Sequence, residues 1–253
     1  MRELESDFVE RERAFVRHRA LFAPRDPDAF VSWFEQLKQS GPGQGDPLFP
    51  WLASEASQRQ MRWFLQQEVA GEAGFDDLVA LTSVKLPAVA KLELARNYWD
   101  EMGQGHPGGM HGPMLSRLAD AFEIQSHPDS TVWESLALGN LMVALAVNRR
   151  YAYHSIGALG VIELTAPGRA EYVNAGLKRL GVDGAARRYF ALHATLDVKH
   201  SEAWNREVLR PLVAEKREVA VAIAEGALMR LTAGARCFER YRRELGLGGS
   251  SIS

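Results

Sequence analysis

Cysteine is almost absent from this sequence, whose 253 residues include only Cys237. A single thiol forms neither an internal disulfide nor a cysteine-cluster zinc site, so both are excluded, and a reducing compartment is favoured. An excess of one charge is lacking as well, because 30 Lys and Arg residues and 32 Asp and Glu residues leave a net charge of −2. This balance argues against a protein that coats nucleic acid with a basic surface.

Long hydrophobic runs are also missing. The most apolar stretch, residues 136–147, is too short to cross a bilayer and is followed by Arg149 and Arg150. The first residues, Met-Arg-Glu-Leu-Glu, lack the apolar segment of a signal peptide. We therefore expect a cytoplasmic protein that binds neither membrane nor nucleic acid.

No segment alternates apolar and polar residues as a half-buried strand does. Apolar residues instead recur at helical spacing, which predicts an all-α fold. We expect a single helical domain over 1–253, with a helical arm at 1–45, a core at 50–245 and a flexible Gly/Ser tail at 246–253. The predicted helices are 26–39, 54–81, 87–103, 113–122, 131–164 bent around Gly157 and Gly160, 170–180, 185–206 and 209–245, with helix-breaking loops at 40–47 and 104–111.

The segment His193-Ala-Thr-Leu-Asp197-Val-Lys-His200 carries the strongest chemical signal. Each residue of an α-helix advances about 100°, so positions four and seven apart return to one face. His193, Asp197 and His200 therefore form one strip at the border of the core. Two imidazoles and a carboxylate at this spacing can bind one or two divalent metal ions. The alternative is a pair of core-edge histidines held by Asp197.

A glycine-rich break separates two further candidates. Glu101 ends one predicted helix and His111 follows the break, while His106 within the break competes with His111 for any role. The ordinary alternative is a solvated acidic helix end and a capping histidine. Metal binding by this pair therefore depends on which other ligands join it.

Two more glutamates complete the set of candidates. Glu163 follows the apolar run 158–162, where a carboxylate is costly unless it is paired or metal-bound; the alternative is a helix that ends before Pro167. Glu68 has Glu72 one turn later on the same face, and charged surface is the alternative for both. Because four predicted helices each offer a carboxylate or an imidazole, their co-occurrence favours a di-iron or di-manganese site.

Other enzyme chemistries lack their motifs. The sequence has no phosphate-binding glycine loop after a strand, no H-E-x-x-H and no serine elbow. Cys237 lies beside Phe238 on a late helix, which indicates a packed thiol rather than a nucleophile.

The ordered motifs resemble those of haem-oxygenase-like di-iron oxidases and oxygenases, the iron-containing relatives of the thiaminase-like and haem-oxygenase helical folds. The resemblance covers roughly residues 55 to 235. It rests on matches to the family's ligand motifs in chain order: Gln67-Glu68, Asp100-Glu101-Met-Gly-Gln-Gly with His111, Glu163, and the H-x-x-x-D-x-x-H run of His193, Asp197 and His200.

This resemblance implies a bundle of about seven helices with a central metal site and two Fe(2+) per chain. It implies activation of O2 and oxidation of a small organic substrate, amine- or amino-acid-derived, and it is compatible with an external electron donor and a homodimer. One iron is expected near Glu101, His111 and His193. The other is expected near Glu68, Glu163, Asp197 and His200. Glu72 stays an alternative to Glu68, and His106 to His111.

Two other functions stay open at the level of sequence. A metal-free enzyme of the same fold, thiaminase-like or a cofactorless quinone-forming oxidase, would not need Glu163 and Asp197. A non-enzymatic helical protein would bind metal, or another protein, without consuming O2. Fold alone does not choose among these, because function belongs to the site.

Overall fold

A computed structural model describes residues 2–72 and 76–247, with side chains for all of these except Arg2 and Glu72. The gap between the two ranges falls within one predicted helix, and most of the predicted Gly/Ser tail follows the second range. Every regular element in the described residues is helical, which confirms the all-α prediction.

The helices follow one another with short connections, and the residues 188–215 run on through a π-helical turn at Asn205–Leu209. In the described ranges, no helix is long and apolar enough to span a membrane. The α-helices are α1 (Arg2–Ala20), α2 (Pro27–Ser40), α3 (Leu48–Ser54), α4 (Gln58–Glu72), α5 (Asp76–Thr82), α6 (Ala88–Glu101), α7 (His111–Ala121), α8 (Trp133–Val147), α9 (Ala152–Arg179), α10 (Arg188–Trp204), α11 (Arg210–Glu215) and α12 (Val219–Leu245).

The predicted helix over 131–164 is in fact interrupted at Asn148. The Asn148 side chain accepts a hydrogen bond from the backbone N–H of Arg150 at 3.1 Å and opens a single 3-10 turn. Asparagine competes with the helical ladder in this way, since its side chain offers the backbone another partner. The chain therefore turns at 148–151, between α8 and α9, and not around the two glycines.

Gly157 and Gly160 instead let helices approach one another closely. A Cβ atom at Gly157 would lie 1.8 Å from the carbonyl oxygen of Ile223 on α12, and one at Gly160 would lie 2.4 Å from Nε1 of Trp204 on α10. Such distances exclude any side chain at either position. α9 is thus the central helix, packed directly on α10 and α12.

α9 continues through Pro167 to Arg179, so the helix end predicted before Pro167 and the separate helix at 170–180 are both wrong. Proline removes one intrahelical hydrogen bond. However, Glu163 and Ala170 on either side of it are buried against neighbouring helices, and this packing holds the helix together. Glu163 consequently lies inside a helix, away from any end that could reach water.

Two other predicted helices are divided. Within 54–81, α4 begins only after Ser57, which forms a reciprocal capping box: Gln60 accepts a hydrogen bond from the Ser57 N–H at 3.0 Å, and Ser57 accepts one from the Gln60 N–H at 3.4 Å. Within 209–245, the backbone becomes extended at Lys216 (φ −148°) and separates α11 from α12. The first boundary follows local hydrogen bonding and the second a change of backbone conformation, and apolar spacing reports neither.

The N-terminal helix is attached to the core through a buried ion cluster. Glu225 of α12 is fully buried, and its carboxylate receives Nε of Arg13 at 2.6 Å, a terminal nitrogen of Arg17 at 3.2 Å and Nε2 of His154 at 2.9 Å. Burial favours the neutral acid, but the hydrogen bonds from His154 and Arg13 outweigh it and lower the pKa of Glu225. We call these four residues the Glu225 cluster; they connect α1, α9 and α12.

Candidate metal centre

A cavity of about 110 Å³ lies between the central helices and holds most of the predicted ligands. Its wall is largely apolar, with the rings of Phe49, Phe64, Phe190 and Phe238 among its residues. His200 is not in the wall but contacts Glu163, which is. The other six predicted ligands all line the cavity: Glu68, Glu101, His111, Glu163, His193 and Asp197.

A short glycine-rich loop returns the chain from Glu101 to His111. Met102 and Met110 pair as an isolated antiparallel bridge, which holds the end of α6 beside the start of α7. Gly103 has a φ of +60°, and a Cβ there would lie 2.4 Å from a backbone carbon across the loop. Glycine is therefore required at this approach. The predicted helix break is confirmed, and it brings two predicted ligands together.

Glu101, His111 and His193 form the first group of convergent side chains. One ligand atom from each lies within 4.8 Å of the others. Oε2 of Glu101 is 2.5 Å from Nδ1 of His111, and the rings of His111 and His193 are 4.6 Å apart between centroids. This first group therefore contains one carboxylate and two imidazoles.

His193 is held in the form that binds metal ions. Its Nδ1 lies 2.8 Å from the carbonyl oxygen of Tyr189 and donates to it, which leaves Nε2 as the free lone pair. Burial, reinforced by the nearby His111, lowers the pKa of His193 to about 4. The ring is therefore neutral at pH 7, as a metal ligand must be.

Glu101, Glu163 and His200 form the second group, again with one atom from each within 4.8 Å of the others. Nδ1 of His200 lies 3.4 Å from Oε2 of Glu163, and its Nε2 lies 3.1 Å from Oδ2 of Asp100. Burial disfavours the charged ring, but the carboxylates of Glu163 and Asp100 outweigh it and raise the pKa of His200 to about 9. Without metal, His200 is thus an imidazolium between two carboxylates.

The two groups share Glu101. The first group contains the three residues expected near one iron. The second contains Glu163 and His200, which are expected near the other iron, together with Glu101. Glu68 and Asp197 line the same cavity outside both groups. A carboxylate common to two convergent groups is the arrangement that a bridging ligand requires.

The alternative ligands differ in position. His106 is exposed in the loop between α6 and α7, and it belongs to neither group, whereas His111 is 3% exposed and belongs to the first. The side chain of Glu72 lies outside those the structure describes. The geometry therefore favours His111 over His106, while the choice between Glu68 and Glu72 stays as the sequence leaves it.

The donor set fits divalent metal ions. Both ring nitrogens of His111 and Nδ1 of His200 are buried without a hydrogen-bond partner among the described residues. His111 lies close to Glu101 and His200 to Glu163, but neither contact is aligned as a hydrogen bond. No Lys or Arg among the described residues lies within ion-pair distance of Glu101 or Glu163. Buried carboxylates without arginine or lysine need another source of positive charge. Imidazole and carboxylate are the ligands expected for iron or manganese.

Several residues around the candidate ligands were not singled out by the sequence. The Asn97 amide donates to Oε1 of Glu163 at 2.7 Å, and the Tyr241 hydroxyl donates to Oε1 of Glu68 at 3.1 Å. Asn97 lies one helical turn before Glu101, so this spacing places it on the same face as a predicted ligand. Tyr241 is distant in sequence from Glu68, and no sequence pattern connects the two residues.

Asp76 also lines the cavity, from the short helix α5. Burial and the charges of Asp77 and Glu101 raise its pKa. No spacing relates Asp76 to the other acids, because it comes from an element of its own. It adds one more carboxyl group to a cavity already rich in them.

Solved structures of low sequence identity share this fold. A CADD-like protein of unknown function from Nostoc punctiforme is 18% identical, with a TM-score of 0.66 over 87% of this chain and 98% of that chain. A domain of unknown function with a heme oxygenase-like fold from Shewanella denitrificans is 14% identical, with a TM-score of 0.58 over 89% and 94%. The predicted haem-oxygenase-like helical fold is therefore confirmed.

The sequence profile of a haem-oxygenase-like family described as iron-containing redox enzyme matches residues 62–235. This chain belongs to that family, which confirms the resemblance of its motifs. Among curated proteins, none matches the chain. Family membership establishes an iron-containing redox enzyme as the coarse class of this protein.

Proposed function

We propose that this protein is a non-haem di-iron oxidase or oxygenase that uses O2 to oxidise a small organic substrate. The observation that carries the proposal is the pair of carboxylate and imidazole groups that share Glu101, all of them buried except the partly exposed His193. Membership in a family of iron-containing redox enzymes supports iron as the metal.

The residues that would hold the metal ions are those of the two groups. His111 and His193 would bind one ion, Glu163 and His200 the other, and Glu101 both. Glu68 and Asp197, in the same cavity wall, would complete the ligand set. These residues would hold Fe(II), which would supply electrons for the reduction of O2, and an external donor would restore them between turnovers.

The chain's own residues orient the proposed ligands before any metal binds. The Tyr189 carbonyl fixes the ring of His193, the Asn97 amide fixes Glu163, and the Tyr241 hydroxyl fixes Glu68. Such outer contacts select the tautomer and the orientation of a ligand. They also reduce the conformational freedom that the ligands would lose on binding.

The ring of His200 lies between the carboxylates of Asp100 and Glu163. His200 is positively charged without metal, and Asp100 accepts a hydrogen bond from its Nε2 at 3.1 Å. A metal ligand must be neutral, so metal binding would release the proton of His200. Asp100 would keep its hydrogen bond from Nε2, so Nδ1, on the side of Glu163, is the nitrogen left to bind metal.

The test is anaerobic loading of the purified chain with Fe(II), followed by mixing with O2. We expect about two iron ions per chain and O2 consumption with a transient visible absorption. His200→Ala should lose about one of the two irons, because His200 belongs to one group only. His106→Ala, which changes an exposed histidine of the adjoining loop, should keep both.

Three results would contradict the proposal in different ways. Iron well below about two per chain, or unchanged binding in His200→Ala, would reject the di-iron site. Activity of carefully metal-free protein would favour the metal-free enzyme. Metal binding without O2 consumption would favour the non-enzymatic alternative.

A further inference from the structure

Arg230 of α12 is a buried arginine without a partner. It is 8% exposed, it lies in the wall of the cavity, and its Nε has no hydrogen-bond partner. None of the described residues accepts a hydrogen bond from it or places a carboxylate within 4.0 Å of its nitrogens. Guanidinium does not lose its proton in proteins, so this positive charge is buried without an ion-pair partner.

Three half-buried arginines among the described residues are paired with acids. Arg13 contacts Glu225 at 2.6 Å, and Arg236 and Arg242 contact Glu12 and Asp46. Arg230 is more deeply buried than these three and has no such acid. An unpaired arginine of this kind in a cavity wall indicates a group that binds something from outside the chain.

The surroundings of Arg230 define what it could bind. The cavity wall is mostly apolar and contains several phenylalanine rings. A second guanidinium, that of Arg169, is also in the wall and lies over the rings of Phe49 and Phe238 at 6.0 and 5.6 Å. A ligand with one anionic end and an apolar body complements this combination.

We infer that Arg230 binds a carboxylate group of the substrate, whose apolar part occupies the rest of the cavity. The inference rests on the proposed function, because it takes the bound carboxylate to be part of a substrate. It makes Arg230 a specificity-determining residue. A carboxylate matches the planar fork of guanidinium with two parallel hydrogen bonds. Its single charge balances that of Arg230, whereas a phosphate dianion would bring an excess negative charge into a cavity already lined by acids.

Matched probes test the inference directly. Phenylbutanoate, phenylbutanol and phenylbutylamine share one apolar body and differ only in the charge at one end. Calorimetric titration of the full chain, both metal-free and loaded anaerobically with Fe(II), gives an affinity for each. We expect the acid to bind on the order of ten-fold to a hundred-fold more tightly than the alcohol. In the iron-loaded chain, where the metal ions would neutralise the acids of the wall, the amine should bind more weakly than either.

Substitutions of Arg230 test whether this residue causes the preference for the acid over the alcohol. Arg230→Met should remove the preference for the acid and leave the affinity for the alcohol within about two-fold, since the apolar wall is kept. Arg230→Lys should retain part of it, because the charge stays but the planar fork is lost. Arg243→Met on the same helix, whose side chain is 60% exposed, is the matched control and should leave the preference unchanged.

Each outcome decides the inference. Equal affinities of acid and alcohol in the unchanged chain, or no binding of the acid, would overturn it, and this reading does not depend on whether a variant folds. A preference that survives Arg230→Met only with Fe(II) present would make the metal the anchor and would also overturn it. Iron content measured on the same samples separates this result from failure of the proposed function.

Discussion

Glu225 and Glu101 are both buried glutamates that contact a histidine, yet the chain neutralises them in different ways. Glu225 receives two arginines as well as His154, so its charge is balanced by the protein itself. Glu101 has histidines and further carboxylates around it, and neither Lys nor Arg among the described residues reaches it. The same residue types therefore serve attachment of a helix in one place and, as we propose, binding of metal in the other.

These two glutamates show that the positive charges around a buried acid, more than the acid itself, distinguish a structural ion cluster from a candidate metal site. In the Glu225 cluster the arginines come from α1, so the cluster stabilises the docked N-terminal helix. In the cavity, unpartnered ring nitrogens of His111 and His200 accompany the acids. Four changes to the molecule would break or sharpen this contrast.

Glu101→Gln should have the largest effect. Because Glu101 belongs to both groups, its loss should weaken iron binding at both positions, by more than about a hundred-fold. His111→Ala, which belongs to one group only, should retain about one iron per chain. Iron content after anaerobic loading and desalting measures both. Equal residual iron in the two variants would show that Glu101 is not shared.

Glu225→Ala should destabilise the fold without affecting the metal site. We expect a loss of about 3 kcal/mol in the free energy of unfolding, at the low end for a broken buried pair, because Arg13 and Arg17 are partly exposed and can reach water. Urea denaturation measures the loss, and iron content should stay that of the unchanged chain. A variant with unaltered stability would contradict the structural role of the cluster.

Asn97→Ala should weaken one metal position moderately. Its amide holds Glu163 at 2.7 Å, and loss of such an outer contact typically reduces metal affinity by about ten-fold. Competition with a chromogenic chelator would measure the affinity. Asn174→Ala, which removes a hydrogen bond to Arg187 instead, is the control. Equal affinities in the two variants would remove Asn97 from the site.

The smallest effect is a pH dependence that distinguishes the two clusters. The pKa of Glu225 is lowered in the folded protein, so its contribution is complete above the unfolded value of 4.5 and is lost as pH falls through the folded value. The difference in unfolding free energy between the unchanged chain and Glu225→Gln should therefore be constant near neutral pH and shrink below about pH 4.5. A difference that grows on acidification would contradict this sign.

The sequence predicts the fold class well because apolar spacing reports which face of a helix is buried. It fails at Asn148, Ser57 and Lys216, where local hydrogen bonding or backbone geometry begins or ends a helix. It also fails at Pro167, where packing on both sides outweighs one missing hydrogen bond. Boundaries thus depend on competition between local and tertiary contacts, which a spacing pattern does not contain.

The candidate ligands were foreseeable, since helical spacing joins His193 to Asp197 and His200, and motif order adds the rest. Their grouping was not, because it depends on how α6, α9 and α10 pack. The sharing of Glu101 and the unpaired charge of Arg230 both arise from contacts between distant segments. The seven-ligand set and its division between two irons stay predictions.

Anomalous X-ray diffraction at the iron edge, from crystals loaded with Fe(II) without O2, tests the central claim most directly. We expect two iron peaks on either side of the Glu101 carboxylate, one next to His111 and His193 and the other next to Glu163 and His200. A single peak, no peak, or peaks away from Glu101 would contradict that claim.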